Sequence, residues 1–345
     1  MKAVFAIPGD RHRRTGGFIY ESTLLDTLRD LGHEIAHLEL PDAFPDPRPE
    51  DVAETRRMLC QVPPDIPILL DGFIPGFTGP ETMAAIPAPT IPIIHHPLGL
   101  ETGLAPDRAA DLLDSERTAL AHAAHVIVPS PHTAQILMDD FDVPGDRLTI
   151  GTPGFAPISA TRTPIAPPLI LAVGSLVARK GHDVLLDALA RIVDLDWQAR
   201  IVGGPATGAT ADALRGRARD LGLADRVTFT GPLDDAAVAR SFAEATIFAL
   251  ASRYEGYGIV FGEAMQHGLP IVACHAGAVP DTVGAAGDLV PVDEPSAFAD
   301  VLRRFLTDAE HYDLIAATSA RMGRALPTWS DTARIVVEAV AAVSR

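Results

Sequence analysis

Short apolar runs alternate with segments of helical periodicity along nearly all of the 345 residues. This alternation is typical of parallel strands that are covered by the helices between them. It stops between Pro153 and Pro168, a segment that contains five prolines, and then resumes. The sequence therefore predicts an α/β fold of two doubly wound Rossmann-like domains facing a central cleft. Ligands of such sheets bind at the carboxyl ends of the strands.

Each half of the chain predicts its own series of elements. The first series predicts strands at 3–7, 34–39, 66–70, 90–95, 125–128 and 148–150, and helices at about 19–31, 109–121 and 131–139, the last capped by Ser130. The second predicts strands at 169–174, 198–203, 227–230, 247–250, 270–273 and 288–290, and helices at about 182–193, 209–221, 236–243, 259–267 and 296–306. A final helix is expected from Ser330 onward.

The charge balance restricts the function classes. Asp and Glu number 45 against 28 Lys and Arg, a formal net charge of −17. A nucleic-acid partner is not expected, because such partners are held by basic surfaces. No apolar run reaches the roughly 20 residues of a membrane span, and the two cysteines imply no disulfide framework. We expect a cytoplasmic protein without a transmembrane segment; peripheral membrane contact stays open.

The segment from Ala251 to Cys274 is the richest in chemistry. Glu255 and Glu263 are separated by seven residues within a glycine-rich, largely apolar run. A buried carboxylate needs a partner, so the pair indicates a polar ligand. Gly256 and Gly258 allow a tight turn into a short helix, whose first N–H groups suit a phosphate. The segment predicts a site for a molecule that carries both phosphate and hydroxyls.

Three further loops follow predicted strands. Gly16-Gly17 precedes a helix but fits neither a Walker A loop nor GxGxxG, and a simple helix entry is equally plausible. His95-His96 ends a strand, where adjacent side chains point to opposite faces. That disfavours a shared metal, and leaves either an active-site role or a structural pair. Arg179-Lys180 is a basic pair in a strand-to-helix loop, suited to neutralising a diphosphate.

Together these residues resemble the retaining GT-B glycosyltransferases with a Glu-x7-Glu signature, the glycosyl transferases group one of bacterial mannosyl- and glucosyltransferases. The Gly-Gly loop, the strand-end His, Val-Gly-x5-Lys-Gly, Gly277–Val283, Gly287-Asp-Leu-Val-Pro and Trp329-Ser all occur in the family's order. The resemblance covers essentially the whole chain. It implies an acceptor-binding domain at 1–155, a linker at 156–168, a nucleotide-sugar domain at 169–327 and a C-terminal helix at 328–345 that packs back on the first domain.

The resemblance also implies roles for single residues. Glu255 would bind donor-sugar hydroxyls, Glu263 the ribose, and Lys180 the diphosphate, while His95 lines the reacting sugar. The implied catalytic residues are His95, Glu255 and Lys180, and the implied donor-binding residues are Gly16, Gly17, Gly174, Ser175, Arg179, Lys180, Glu255, Gly256, Tyr257, Gly258, Ile259, Val260 and Glu263. Ser175 stands where the family usually has Arg, so Arg179 is the candidate to compensate.

The implied reaction moves a hexose from a nucleotide diphosphate sugar, UDP-glucose or GDP-mannose, to a hydroxyl of a small or glycan acceptor. Neither a metal nor a cofactor is expected, and domain closure is expected to exclude water. Two alternatives stay open: a nucleotide-sugar epimerase of the same fold, and a non-catalytic sugar-nucleotide-binding homologue. A nicotinamide-dependent dehydrogenase is disfavoured by the missing GxGxxG.

Overall fold

The computed structural model describes residues 1–158, 162–205 and 208–343. In the first half the elements are β1 (Lys2–Pro8), α1 (Gly16–Asp30), β2 (Glu34–Leu40), α2 (Pro49–Leu59), β3 (Ile68–Asp71), α3 (Phe73–Ala85), β4 (Thr90–Ile93), α4 (Pro106–Leu120), β5 (Val126–Val128), α5 (Pro131–Asp140) and β6 (Leu148–Ile150). In the second half they are β7 (Leu169–Val173), α6 (His182–Leu189), β8 (Gln198–Val202), α7 (Ala209–Asp220), β9 (Val227–Gly231), α8 (Asp235–Glu244), β10 (Ile247–Leu250), α9 (Ile259–Gln266), β11 (Ile271–Cys274), α10 (Val279–Val283), β12 (Gly287–Val290), α11 (Pro295–Thr307), α12 (Ala309–Arg324) and α13 (Trp329–Val343).

The chain divides into two compact units. Unit 1 comprises Met1–Ala156 and Pro327–Arg345, and unit 2 comprises Pro157–Leu326. Of the segment expected as a linker, residues 159–161 lie outside the described residues, as do residues 344–345 of the expected C-terminal helix. Helix α13 belongs to unit 1, where Ala333, Val336 and Val340 join the core formed by α1 and the sheet.

Among the described residues, each unit contains one six-stranded sheet in which the paired strands are parallel. The order is β2-β1-β3-β4-β5-β6 in unit 1 and β12-β11-β10-β7-β8-β9 in unit 2. The central strands are buried, as their unbroken apolar sequences require, and helices cover them. The predicted doubly wound α/β architecture is confirmed.

The structure corrects several element boundaries. The strand predicted at 90–95 ends at Ile93, so His95 and His96 lie in the following loop, and the argument that they face opposite sides of a strand does not apply. The helix predicted at 182–193 ends at Leu189 and continues as a 3₁₀ turn. Helices α2, α3, α10 and α12 had not been predicted. In α3, Gly79 at φ 75° and Pro80 interrupt the helical pattern.

Candidate donor site in unit 2 and a buried carboxyl pair in unit 1

Glu255 is the centre of a charged cluster in unit 2. It follows β10 and is only 5% exposed. One carboxylate oxygen, Oε1, lies 2.6 Å from Lys180 Nζ and accepts a 2.6 Å hydrogen bond from Ser252 Oγ. The other, Oε2, lies 3.5 Å from the Arg179 guanidinium. The structure therefore brings together three residues that the sequence analysis had selected, and adds Ser252.

The cations keep Glu255 ionised. Burial alone opposes ionisation of this carboxyl, but the charges of Lys180 and Arg179, together with the hydrogen bonds from Lys180 and Ser252, outweigh it and lower the pKa of Glu255. Two positive charges surround one negative charge. The cluster is thus a locally cationic site in a chain whose net charge is −17.

Two glycines allow Lys180 to reach Glu255. Gly174 follows β7 and lies beneath the lysine, since a Cβ at this position would stand 3.4 Å from Lys180 Cδ. Gly181 follows the 3₁₀ turn Ala178–Lys180 at φ 61°, a conformation that favours glycine, and begins α6. Ser175, where related enzymes usually have arginine, contributes its carbonyl to His182 Nε2 at 3.2 Å.

Arg253 braces the two loops that carry the cluster, a role the sequence analysis missed. Its backbone N–H donates to the Arg179 carbonyl at 2.7 Å, and its guanidinium contacts Asp183 and Asp293, each at 2.7 Å. It thereby ties the loop that carries Lys180 to the loop that carries Glu255. An arginine two residues before the glutamate was the available signal, but its partners are distant in sequence.

The segment after β11 supports the backbone of the Glu255 loop. The Ala278 N–H donates to the Glu255 carbonyl at 2.8 Å, and Thr282 Oγ1 donates to the Tyr257 carbonyl at 2.7 Å. Gly277 lies at φ 56° against the Glu255 backbone, where a Cβ would overlap main-chain atoms. The resemblance to the family over 277–283 therefore corresponds to a physical support for residues 255–257.

Helix α9 begins beside Glu255. Gly258 is its N-cap at φ 83°, with no side-chain cap, so the first helical N–H groups are available for a ligand in the way expected of a helix N-terminus. Ile259 and Val260 form the first turn and are half-buried. Glu263, also half-buried, lies one turn further into the helix.

His95 occupies a different site, in unit 1. Gly16 begins α1, and Gly17 lies against the His95 ring, since a Cβ on Gly17 would be 3.2 Å from His95 Cδ2. The Tyr20 ring meets the imidazole edge-on at 4.9 Å between centroids. His95 Nε2 lies 3.3 Å from Glu21 Oε1.

Beneath His95 lies a buried carboxyl pair that the sequence analysis missed. Glu21 is fully buried and Asp71 is 4% exposed. Burial raises the pKa of Glu21 to about 8, although a hydrogen bond with Asp71 opposes the rise. Burial, then Glu21 itself, raises the pKa of Asp71. Burial also lowers the pKa of His95 to about 4. Burial therefore favours a bound proton on the carboxyl pair and a neutral His95 near neutral pH.

A sequence signal for this pair did exist. Glu21 lies in the apolar stripe of α1, in helical register with Phe18, Leu25 and Leu28, all of which are buried. A carboxylate at such a position indicates a buried partner. Asp71 similarly ends the buried strand β3.

Two further features bear on the sequence predictions. Within 1–158, 162–205 and 208–343, no group of three or more His, Cys, Asp and Glu side chains is arranged to hold a metal ion. His96 Nε2 lies 3.9 Å from Glu101 Oε2. In the same part of the chain, none of the helices has both the length and the apolar character that a membrane span requires.

Comparison with known proteins points to one family. Residues 167–308 match the family model described as Glycosyl transferases group 1. Among curated proteins, the D-inositol 3-phosphate glycosyltransferase of Streptomyces avermitilis is 32% identical over 248 residues, which cover 66% of this chain and 52% of the relative. That of Frankia alni is 31% identical over 260 residues, covering 69% and 63%. The chain thus spans about half to three fifths of the length of these relatives.

Solved structures share the fold over nearly the whole chain. Sucrose-phosphate synthase from Thermosynechococcus elongatus superposes with a TM-score of 0.80 at 21% identity, covering 98% of both chains. The Anabaena protein HepE in complex with UDP-glucose gives a TM-score of 0.79 at 17% identity, covering 99% of this chain and 100% of HepE. The fold is therefore GT-B, and residues 167–308 are similar to glycosyl transferases group 1.

Proposed function

We propose that this chain is a retaining glycosyltransferase that moves a hexose from a nucleotide diphosphate sugar to a hydroxyl of a small or glycan acceptor. The observation that carries the proposal is the cluster around Glu255, where Lys180 and Arg179 flank an ionised carboxylate beside the N-terminus of α9. The family match and the names of the relatives support the activity class. They do not favour the epimerase alternative.

Lys180 and Arg179 are proposed to neutralise the donor's diphosphate. A lysine ammonium has three N–H donors; one of those on Lys180 is used by Glu255 at 2.6 Å. The others suit phosphate oxygens, and the Arg179 guanidinium adds a second cation to the same carboxylate. Arg179 thereby supplies a charge that Ser175 cannot. Donors fixed before the reaction stabilise the charge that develops as the diphosphate departs.

Glu255 is proposed to orient the sugar and not to attack it. Its two oxygens are engaged by Lys180, Ser252 and Arg179, which lowers its nucleophilicity but leaves lone pairs for sugar hydroxyls. The bond between the anomeric carbon and phosphate oxygen breaks, the acceptor oxygen bonds to that carbon, and the acceptor's proton passes to the leaving phosphate. This same-face course gives retention and needs no metal ion.

The remaining assignments follow the resemblance. Glu263 is proposed to bind the ribose hydroxyls, and backbone N–H groups of residues 256–260 to bind phosphate or sugar oxygens. Gly16, Gly17, Gly174 and Ser175 are proposed to allow close approach of the donor. His95 is proposed to contact the reacting sugar.

The substrates to test first come from the named relatives. HepE was solved with UDP-glucose, so UDP-glucose precedes GDP-mannose. The curated relatives are named for D-inositol 3-phosphate, and a structural neighbour for sucrose phosphate, so phosphorylated polyols and sugars are the first acceptors to test. Phosphorylated polyols and phosphorylated sugars are both small, soluble acceptors.

A binding screen followed by product analysis tests the proposal. We expect one nucleotide diphosphate sugar to raise the melting temperature of the wild type, and Glu263→Ala to lose most of that shift. Glu244→Ala is the matched control, because Glu244 pairs with Arg200 elsewhere in unit 2. Mass analysis with the acceptors should then show a product heavier by one hexose residue. A wild type that no nucleotide sugar stabilises would refute the donor site.

A further inference from the structure

The strongest unassigned feature is the buried cluster of Glu21, Asp71 and His95 in unit 1. The three residues come from α1, the end of β3 and the loop after β4, and are brought together by adjacent parallel strands. In the register of β3 and β4, Asp71 pairs with Ile93, two residues before His95. The arrangement is thus fixed by the sheet and by a packed helix.

Every buried oxygen of the carboxyl pair can have a hydrogen-bond donor only if one of the two carboxyls is protonated. The Phe73 N–H donates to Asp71 Oδ1 at 2.7 Å, and Glu21 Oε1 faces His95 Nε2 at 3.3 Å. Glu21 Oε2 is buried, and among the described residues no N–H or hydroxyl donor reaches it. A protonated Asp71 hydroxyl would supply that donor, consistent with the contact between the two carboxyls. Two carboxyls buried together cannot both ionise without a large electrostatic cost.

We propose that Glu21 and Asp71 share a proton and hold the His95 ring by its Nε2–H, which leaves Nδ1 as the ring nitrogen for a ligand. Asp71 accepts from Phe73 and donates to Glu21, and Glu21 Oε1 accepts from His95. Glu21 and Asp71 are then positioning residues, and they set the tautomer that His95 presents. This chemistry matches a sugar hydroxyl, which can donate to an unprotonated Nδ1.

The surroundings of the ring agree with this assignment. The Tyr20 hydroxyl donates to the Gly151 carbonyl at 2.7 Å, so it is not directed at His95. Its ring packs edge-on against the imidazole, and Gly17 packs on the ring at Cδ2, which restricts rotation. The His95 side chain keeps 24% of its surface exposed, so a ligand can reach it while Nε2 is engaged.

The direct test is the tautomer of His95, read by ¹⁵N NMR on histidine-labelled protein and assigned with a His95→Asn variant. We expect wild-type His95 to be neutral at pH 6–7 with the hydrogen on Nε2, since its pKa is lowered to about 4. Glu21→Met removes the acceptor while keeping an apolar side chain of similar size in the α1 stripe, and should yield a mixture of tautomers. Asp71→Asn should preserve the wild-type tautomer, because an amide accepts from Phe73 and donates to Glu21 as a protonated Asp would.

Glu116→Met is the matched control. Glu116 is also fully buried in unit 1, burial likewise raises its pKa to about 8, and it accepts from the Leu98 N–H rather than from His95. The control should leave the His95 tautomer unchanged. An Nδ1–H tautomer in the wild type, no change in Glu21→Met, or a lost tautomer preference in Asp71→Asn would each overturn the proposal.

A kinetic measurement extends the test and rests on the proposed function. If the wild type transfers sugar, Glu21→Met should lower kcat by about tenfold to a hundredfold, as a misplaced contact group does, with the donor KM nearly unchanged. The single variant Asp71→Asn should retain most of the wild-type rate. Equal rates in wild type and Glu21→Met would contradict the positioning role. A wild type that transfers nothing would refute the proposed function, while the NMR measurement would still decide the tautomer.

Discussion

Each unit buries a glutamate at its candidate site, and the pKa values of the two glutamates are shifted in opposite directions. Glu255 in unit 2 is 5% exposed and Glu21 in unit 1 is fully buried. Lys180 and Arg179 keep Glu255 ionised, whereas Glu21 has a second carboxyl and a histidine as neighbours and has its pKa raised to about 8. Burial is similar, so the neighbours decide the charge. An ionised carboxylate among cations suits an anionic, hydroxylated donor, and a carboxyl pair that holds a proton suits the orientation of a ring.

The largest expected effect comes from neutralising Glu255. Glu255→Gln leaves Lys180 and Arg179 without their anion, and breaking a buried ion pair costs about 3–5 kcal/mol. Chemical denaturation should show that the free energy of unfolding falls by an amount of this order. Glu244→Gln, which breaks the partly exposed pair with Arg200, should cost about 1 kcal/mol or less. Equal losses in the two variants would show that Glu255 is not held by its cations.

The next effect is on catalysis. Lys180→Ala removes a preorganised donor for the leaving diphosphate, so kcat/KM should fall by about 10²–10³. Lys2→Ala is the natural comparison, since Lys2 is exposed and forms a surface ion pair with Glu34. The kinetics of Lys2→Ala should match the wild type. If Lys180→Ala retains wild-type kcat/KM, the diphosphate contact is assigned to the wrong residue.

Stability should depend on pH in opposite directions for the two glutamates. The pKa of Glu21 is raised from 4.5 to about 8, so the folded protein binds a proton that the unfolded chain releases, and stability falls as pH rises from about 5 to 8. The slope approaches 1.4 kcal/mol per pH unit at most. Glu21→Gln should remove this contribution, measured as a flatter dependence of unfolding free energy on pH. The pKa of Glu255 is lowered, so its contribution to the free energy of unfolding is instead lost as pH falls below the usual pKa of a glutamate, 4.5.

The smallest effect separates two adjacent glycines. A Cβ on Gly17 would come within 3.2 Å of the His95 ring, whereas a Cβ on Gly16 meets nothing within 4 Å. Gly17→Ala should displace the ring by a few tenths of an ångström and lower kcat several-fold, with little change in stability. Gly16→Ala should lower kcat less than Gly17→Ala, because its Cβ does not reach the His95 ring. A similar loss in both variants would place the effect in the loop rather than in contact with His95.

Much of the fold could be predicted because it depends on local patterns. Apolar runs and intervening helical segments specify both sheets, and the proline-rich break separates the two series. Helix α3 could not be predicted, because Gly79 and Pro80 interrupt its pattern and tertiary packing sustains it. Likewise the end of β4 at Ile93, rather than at His95, depends on pairing with neighbouring strands.

The candidate site residues likewise fall into those that local sequence patterns predicted and those that depend on distant partners. Glycines, carboxylates and a basic pair after strands predicted where the unit 2 cluster would form, and the structure places Lys180 and Glu255 at 2.6 Å. The Arg253 brace and the Glu21–Asp71 pair were missed, since their partners are distant in sequence and only the folded chain brings them together. The local signals of the pair were the carboxylate within the apolar stripe of α1 and the aspartate at the end of β3.

The most direct test of the proposed activity is ¹H NMR of the reaction as it proceeds, with the nucleotide sugar found by the binding screen and a phosphorylated polyol as acceptor. The proposal predicts that the donor's anomeric signal is replaced by that of a product with the same anomeric configuration, and that Lys180→Ala slows this while Lys2→Ala does not. A product of inverted configuration would contradict the retaining course. No transferred sugar with any donor and acceptor pair would contradict the glycosyltransferase itself.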